Sequence, residues 1–236
     1  MPEDLLVCHL GRVAYQEAYT LQETLRERVQ AGALADVLLL LEHPPVYTLG
    51  RRSEPGDLPL DEAWYREQGL DIARTDRGGK LTYHGPGQLV GYPIVHVERI
   101  PDHIRSMEGA IVEALAGEGV PGARGRDHEG PAWTGVWVQE RKIASIGVHV
   151  SRGVSMHGFA VNVDNDLQPF EWIVPCGIDG VRMTSLYLET GRTGGMSCFR
   201  KRVAWRFAQA YSKRQRIVTL PRMVRDPEPA LSSVAG

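Results

Sequence analysis

Apolar and polar positions along the chain predict a succession of strands and helices. Residues 5–10 and 37–41 are apolar runs of strand length, and the second run is continuous, which is typical of a strand buried on both faces. Residues 15–29 and 196–212 repeat apolar positions at helical spacing. Further strands are predicted at 70–74, 89–97, 135–138, 142–150 and 154–163, and further helices at 61–68 and 102–115.

Local signals define some ends of these elements. Asp61 and Asp102 stand where an N-cap is expected, because a short carboxylate can accept the unpaired N–H groups of a first helical turn. Residues 139–141 are predicted as the turn of a hairpin. The inner face of the last long helix is predicted to hold Phe199, Val203, Phe207 and Ala210.

The chain shows neither an internal repeat nor a linker that would divide it. Strands and helices are mixed, so the expected fold class is α/β (α+β) in a single domain spanning residues 1–218. From Thr219 the sequence is rich in proline, serine and charge, and residues 219–236 are predicted to be a loose tail.

Composition narrows the classes of function. The 236 residues carry a net charge of -2, so we expect neither nucleic acid nor membrane as a partner. No apolar run approaches the ~20 residues that a membrane helix needs, and the start has no signal-peptide pattern. Three widely spaced cysteines argue against a disulfide framework and a CxxC metal site. A cytoplasmic location is the default expectation.

The segment from Arg77 to Pro93 carries the strongest chemical signal. Its seventeen residues hold five glycines together with an arginine, a lysine, a histidine and a glutamine. Clustered glycine suggests close approach of the backbone to a ligand, and the basic groups suggest a site for a polar group. A solvated surface hairpin is the alternative, but apolar residues such as Leu81 and Val90 offer inward anchors.

Cys176 is a candidate nucleophile because Pro175 fixes the backbone before it and Gly177 frees the backbone after it. The alternative is a buried thiol that packs as a small hydrophobe. A thiol with a pKa of ~8.5 needs a neighbouring base or cation, for which His84, His157 and Lys142 are the candidates. Lys142 precedes the apolar run 143–148, which could draw it into a partly dry site; a solvated hairpin lysine is the alternative.

Other features are weaker. Small residues inside the strands at 145–147 and 157–160 suit a ligand approaching the backbone or simply tight strand packing. The basic clusters at 200–202 and 213–216 are either a solvated surface or a docking face for an acidic protein.

The segment 77–93 closely resembles the signature of the octanoyltransferases of lipoate biosynthesis. The resemblance extends, in the same order along the chain, to residues 38–51, 134–138, 142–147, 157–162 and 175–178. It implies the fold of the biotin and lipoate protein ligase catalytic module: a mixed central β-sheet flanked by helices, plus a smaller sheet.

The resemblance also implies the reaction. Members of this family move an octanoyl group from acyl carrier protein to a lysine of the lipoyl domains of 2-oxoacid dehydrogenase E2 subunits and of the glycine-cleavage H protein. No cofactor and no metal are implied. By the same resemblance, Cys176 is the acyl-accepting nucleophile, through a thioester, and Lys142 is its proton partner.

The remaining site residues are likewise implied by the resemblance. The acyl site is expected to contain Arg77, Gly78, Gly79, Lys80, Leu81, Thr82, Tyr83, His84, Ser145, Ile146, Gly147, Gly158, Phe159 and Ala160, with His43 as an additional candidate. We expect Arg77 and His84 to shape a polar mouth, and backbone N–H groups near Gly78, Gly79 or Gly177 to stabilise an oxyanion.

Three alternatives stay open at this point. An ATP-dependent lipoate or biotin ligase would share the fold and a comparable lysine without needing Cys176. A cysteine thioester hydrolase would pair Cys176 with His84 or His157 and release a free acid. A non-catalytic module that binds the acyl carrier would leave Cys176 and Lys142 without a role.

Overall fold

A computed structural model of the protein describes residues 3–173 and 180–224. The strands in these ranges are β1 (Asp4–Arg12), β2 (Asp36–Glu42), β3 (Val46–Leu49), β4 (Asp71–Arg74), β5 (Leu81–His84), β6 (Gln88–Ile94), β7 (Ala123–Gly125), β8 (Gly135–Val138), β9 (Arg141–Ser151), β10 (Val154–Asn162), β11 (Arg182–Met183) and β12 (Arg214–Ile217). The helices are α1 (Tyr15–Gln30), α2 (Glu62–Glu67), α3 (Ile100–Ala116), α4 (Gln168–Glu171), α5 (Leu186–Thr190), α6 (Met196–Ala210) and α7 (Leu220–Val224).

The strands form two sheets. The large sheet has the order β12-β1-β2-β6-β10-β9-β8-β7, with β11 beside β9, and the small sheet has the order β4-β3-β5. Strand β1 runs parallel to β2 and β12, whereas β2, β6, β10, β9, β8 and β7 pair antiparallel in turn. This is the mixed central sheet with a smaller second sheet that the family resemblance implies.

Strand β2 shows why its apolar run is continuous. Leu38 and Leu40 belong to a core that includes residues of α3 and α6, and Leu39 and Leu41 belong to a second core that includes residues of α1. Since successive side chains of a strand point to opposite faces, both registers must be apolar. The predicted two-sided burial of this strand is confirmed.

A third core lies under the small sheet. It joins Tyr47 of β3 and Tyr83 of β5 to Tyr65 of α2, and it includes Phe170 and Ile173. The Tyr47 and Tyr65 rings meet edge to face, with 5.3 Å between their centroids. The small sheet is therefore packed by a core of its own, separate from the two cores on the faces of the large sheet.

The helix ends confirm one predicted cap and correct the other. Asp61 caps α2, its carboxylate accepting the N–H of Ala63 at 2.8 Å. Helix α3 begins earlier than predicted, with Arg99 at the N-cap position, so Asp102 lies inside the first turn. Pro101 explains the shift, because its fixed φ and missing N–H suit the first helical turn. The carboxylate of Asp102 pairs instead with Arg105 at 2.5 Å.

The inner face of α6 differs from the prediction at one residue. Phe199, Val203 and Phe207 are buried, as expected, but Ala210 is exposed at the last helical position. The buried stripe continues instead through Ala204 and Ala208, one position after each of two predicted residues.

The end of the described chain forms two elements that pack on the rest of the fold. The polar strand β12 pairs with β1, and within the segment predicted to be a loose tail Met223 of α7 is buried in the second core. Lys213 pairs with Asp36 at 3.1 Å, and Arg214 and Arg216 both pair with Asp4. The basic residues of the cluster at 213–216 therefore have acidic partners within the protein itself. Docking of an acidic protein at this cluster stays a prediction.

We find no helix among the described residues that combines the length and the apolar character required to cross a membrane.

Candidate active site

A cavity of about 180 Å³ lies where the two sheets meet. Its walls come from β5 of the small sheet, from β6, β9 and β10 of the large sheet, and from the first residue of α1. Most residues expected in the acyl site line it: Arg77, Gly79, Lys80, Leu81, Thr82, His84, Lys142, Ser145, Ile146, Gly147, Gly158, Phe159 and Ala160. The other lining residues are Tyr15, Arg52, Tyr92, Pro131, Ala132, Thr134 and His157.

Three expected site residues do not line this cavity. Tyr83 points into the third core, with its ring 5.3 Å from that of Phe170, because its neighbours in the strand face the other way. Gly78 is a backbone link: its N–H donates to the carbonyl of Val148 at 2.9 Å, so it is not available as the oxyanion donor considered above. His43 does not line the cavity because its ring lies behind Tyr92, whose hydroxyl group it contacts.

Lys142 is a buried lysine, only 1% exposed, on the second strand of the predicted hairpin. Its ammonium lies 5.2 Å from the centroid of the Trp137 ring, a distance at which the ring face attracts a cation. The alternative of a solvated hairpin lysine is therefore wrong. Strand β11 lies beside this end of β9, where Met183 pairs with Lys142 and Arg182 pairs with Arg141.

Cys176, predicted as the nucleophile, lies outside the described residues, as does Gly177. The chain on either side of this segment is held near the site. Ile173 is buried in the third core, and after the segment β11 runs beside Lys142. The N–H of Thr184 donates to the carbonyl of Lys142 at 2.9 Å. Residues 182–184, which follow this segment along the chain, are therefore attached to the strand that carries the buried lysine.

Arg77 is a buried part of the cavity wall, where a polar mouth was expected. Its guanidinium donates to the carbonyl and to the hydroxyl of Thr48 in β3, the hydroxyl at 2.8 Å, and to the carbonyl of Gly78 at 3.1 Å. These bonds connect the glycine-rich loop to the small sheet. Lys80 is also engaged, since its ammonium pairs with Glu54 at 2.8 Å and with Asp57 at 3.4 Å.

His43 supports the cavity from behind. Its Nδ1 faces the carbonyl of Val13 at 2.7 Å, so this nitrogen carries the proton, and Nε2 accepts the hydroxyl proton of Tyr92 at 2.7 Å. Burial lowers the pKa of His43 to about 4, which keeps the ring neutral at neutral pH. His43 therefore fixes the orientation of the Tyr92 hydroxyl.

A carboxylate and two imidazoles form a second polar group, and one imidazole, that of His157, lines the cavity. Asp76 accepts hydrogen bonds from His157 Nε2 at 2.6 Å and from His149 Nδ1. Chiefly because of the bond from His157, the pKa of Asp76 is lowered below its usual range, whereas burial lowers the pKa of His157. Asp76 carries no motif in the sequence, and only the fold brings it next to His157.

Phe159 is one of the residues that line the cavity, and a glycine makes room for its ring. Gly91 of β6 pairs with Phe159 of β10, and a Cβ at Gly91 would overlap the Phe159 ring. Leu81, Ile146, Phe159 and Ala160 are apolar lining residues, which makes the cavity suitable for a short aliphatic chain close to a buried cation.

Solved structures show which class of protein has this architecture. The putative lipoate protein ligase Ta0514 of T. acidophilum, solved with bound lipoic acid, superposes with a TM-score of 0.71 at 18% identity, covering 95% of this chain and 92% of that one. The arrangement of sheets and helices is therefore that of a lipoate protein ligase catalytic domain, the fold that the resemblance implies.

The sequence comparisons define the family. The family described as "Lipoyl protein ligase A/B catalytic domain" matches residues 14–208. The octanoyltransferase of Rubrobacter xylanophilus is 46% identical over 186 residues, 77% of this chain and 82% of that protein. The octanoyltransferase of Acidobacterium capsulatum is 44% identical over 198 residues, 78% of this chain and 80% of that protein. The chain belongs to the octanoyltransferase family within this domain class, and the predicted enzyme class, acyltransferase, is confirmed.

Proposed function

We propose that the protein transfers an octanoyl group from octanoyl-acyl carrier protein, through a thioester on Cys176, to the lysine amine of lipoyl domains. One observation carries most of the proposal. A buried lysine, Lys142, lines a partly apolar cavity and is paired with the strand that follows the Cys176 segment. Membership of the octanoyltransferase family supplies the acyl group and the type of reaction.

In the first half of the reaction, the Cys176 sulfur attacks the thioester carbonyl of the donor. Lys142 accepts the thiol proton in this step and returns a proton to the departing carrier thiolate. One thioester is exchanged for another, so the two states have similar free energies and no ATP is needed. In the second half, a lysine amine of the acceptor displaces the sulfur and forms an amide, which drives transfer forward.

The glycine-rich loop supplies a candidate oxyanion donor. Gly79 lines the cavity and has a φ of 88°, a conformation that favours glycine. In the part of the chain that the structure describes, the Gly79 N–H donates no hydrogen bond. We infer that this N–H stabilises the tetrahedral intermediate; loss of such a donor typically costs ~3 kcal/mol in the transition state.

The apolar wall accounts for recognition of the acyl chain. At ~0.8 kcal/mol per buried methylene, an octanoyl chain gains several kcal/mol on entering a dry pocket. The depth set by Phe159 and Ile146 would then limit the length of chain that fits. The donor and acceptor proteins are proposed from the family: octanoyl-acyl carrier protein as donor, and lipoyl domains of E2 subunits and the glycine-cleavage H protein as acceptors.

The ATP-dependent ligase is the principal rival because it shares the fold. The solved ligase is 18% identical and supports the fold alone, whereas the relatives at 44% and 46% identity are octanoyltransferases. A hydrolase would use the same cavity but release free octanoate. A carrier-binding module would leave the buried Lys142 without a role.

The test is a single-turnover reaction of octanoyl-acyl carrier protein with a lipoyl domain, without ATP, followed by intact-mass spectrometry of quenched samples. We expect octanoyl-enzyme first and octanoyl-lipoyl domain afterwards. Cys176→Ser should abolish both species, whereas Cys198→Ser, at an exposed cysteine, should retain them. A strict ATP requirement would support the ligase, and free octanoate as the product would support the hydrolase.

Lys142→Ala should slow formation of the octanoyl-enzyme and change the pH dependence of that step. Lys201→Ala on the exposed face of α6 is the matched control. An unchanged pH–rate profile in Lys142→Ala would argue against Lys142 as the proton partner.

A further inference from the structure

A buried chain of hydrogen bonds leads from Thr184, the residue after β11, to His84, and two backbone carbonyls determine its direction. Gln88 Nε2 donates to the carbonyl of Tyr83 at 3.1 Å, and Asn162 Nδ2 donates to the carbonyl of Thr184 at 3.0 Å. Because a carbonyl oxygen can only accept, each contact fixes which end of the amide is the nitrogen.

The two amides together determine the protonation of His84. Asn162 Oδ1 accepts a hydrogen bond from Gln88 Nε2 at 3.0 Å, which leaves Gln88 Oε1 facing His84 Nδ1 at 2.7 Å. An amide oxygen cannot donate, so Nδ1 of His84 must carry a hydrogen. Burial lowers the pKa of His84 well below its ordinary value, so the ring is neutral and Nε2 carries a lone pair.

His84 lines the cavity, and within the described residues its Nε2 makes no hydrogen bond. Its ring is stacked with that of Tyr15, with 6.4 Å between centroids. A nitrogen that only accepts cannot stabilise an oxyanion, but it can bind an N–H group. The other cavity histidine is already engaged, since His157 Nε2 bonds to Asp76 at 2.6 Å.

We propose that His84 Nε2 accepts the proton of the attacking lysine amine in the second half of the reaction, and that Gln88 is the positioning residue that holds His84 in the required tautomer. This inference rests on the proposed function, because it needs the octanoyl thioester on Cys176 and an amine acceptor.

The amine nitrogen forms a bond to the octanoyl carbonyl carbon and becomes much more acidic, so that the neutral imidazole can take its proton at Nε2. The bond from carbon to the Cys176 sulfur then breaks, and the sulfur keeps the electron pair and takes up a proton from water, which restores the thiol. The proton on His84 is released to water because burial disfavours the imidazolium.

The test compares two acceptors of the octanoyl group on the isolated octanoyl-enzyme. In the tetrahedral intermediate, the nitrogen of a lipoyl-domain lysine is more basic than the nitrogen of hydroxylamine. The hydroxylamine nitrogen therefore loses its proton readily to water and depends much less on a base of the protein. General-base catalysis typically contributes about 100-fold or more. In His84→Gln we expect transfer to the lipoyl domain to fall by about 100-fold, and formation of octanoyl-hydroxamate to change little.

Gln88→Met should show the same selective loss, because it removes the acceptor that holds Nδ1–H. His128→Gln, at an exposed histidine, is the matched control and should leave both rates unchanged. The hydroxamate rate also reports the amount of folded, acylated enzyme, so a destabilised variant is measured against its own active fraction.

Three results would overturn the inference. The first is an equal fall for both acceptors in His84→Gln, the second is an undiminished lysine transfer, and the third is failure of both variants to form octanoyl-enzyme, which would assign His84 to the first half of the reaction. Absence of octanoyl-enzyme from the wild-type protein is a different result, since it would refute the proposed function itself.

Discussion

Glu108 on α3 should make the stability of this protein depend on pH near neutrality. The residue is buried at 4% exposure, and its Oε1 accepts the N–H of Gly135 at 2.8 Å, next to the cavity residue Thr134. Burial raises the pKa of Glu108 from its ordinary value of 4.5 to about 7, and the nearby negative charge of Asp127 adds to this effect.

The sign and size of the effect follow from these two values. Below pH 4.5 the carboxyl is protonated in both native and unfolded states, so its full contribution to stability is present. Between pH 4.5 and 7 the unfolded chain loses the proton first, and the free energy of unfolding falls as pH rises. Above pH 7 both states are ionised, and the native state is less stable by about 3 kcal/mol.

Glu108→Gln removes the titration while keeping an oxygen for the Gly135 N–H. We expect this variant to unfold at clearly higher urea concentration than wild type at pH 8, and at a similar concentration at pH 4.5. The assay is urea unfolding followed by circular dichroism across this range at fixed ionic strength. Glu113→Gln, exposed on the same helix, should show no such trend. A stability difference for Glu108→Gln that is equal at both pH values would refute the reasoning.

Three further predictions concern the cavity wall and the end of the chain. Phe159→Ala should shift transfer toward acyl chains longer than octanoyl, measured by competition between donors of different length; retained octanoyl preference would contradict a wall set by this ring. Tyr92→Phe removes the proton that His43 Nε2 accepts, and should lower the free energy of unfolding by about 1–3 kcal/mol in urea, whereas an unchanged midpoint would contradict that bond. Ending the chain after residue 218 removes the buried Met223 and should cost about 2 kcal/mol or more relative to ending it after residue 224; equal stability would support the predicted boundary at 218.

Most of the fold could be predicted because its elements carry local signals. The continuous run of β2 and the spacing of α1 leave little choice about what they form. Strand β12 could not be found in this way, because its Arg-Gln-Arg-Ile sequence has no apolar period and its ion pairs are with Asp4, more than two hundred residues earlier. The position of Asp102 was misjudged because the proline before it, and not its own carboxylate, defines the start of α3.

The residues of the site also differ in whether the sequence alone could identify them. Residues in glycine-rich or strand motifs, such as His84 and Gly147, could be named from the sequence. Tyr15 and Asp76 could not, because each stands in an ordinary local context and reaches the site only when distant elements pack together.

The size of the cavity depends on how the small sheet is seated against the large one. Arg77 attaches the glycine-rich loop to Thr48 on one side, and the Gly78 N–H attaches it to Val148 on the other. A slight slide of one layer over the other would therefore change the cavity's depth without altering any residue in its lining. Repacking beneath β3, for instance where Trp64 meets Trp172, would thus alter which acyl chains fit, although neither tryptophan lines the cavity.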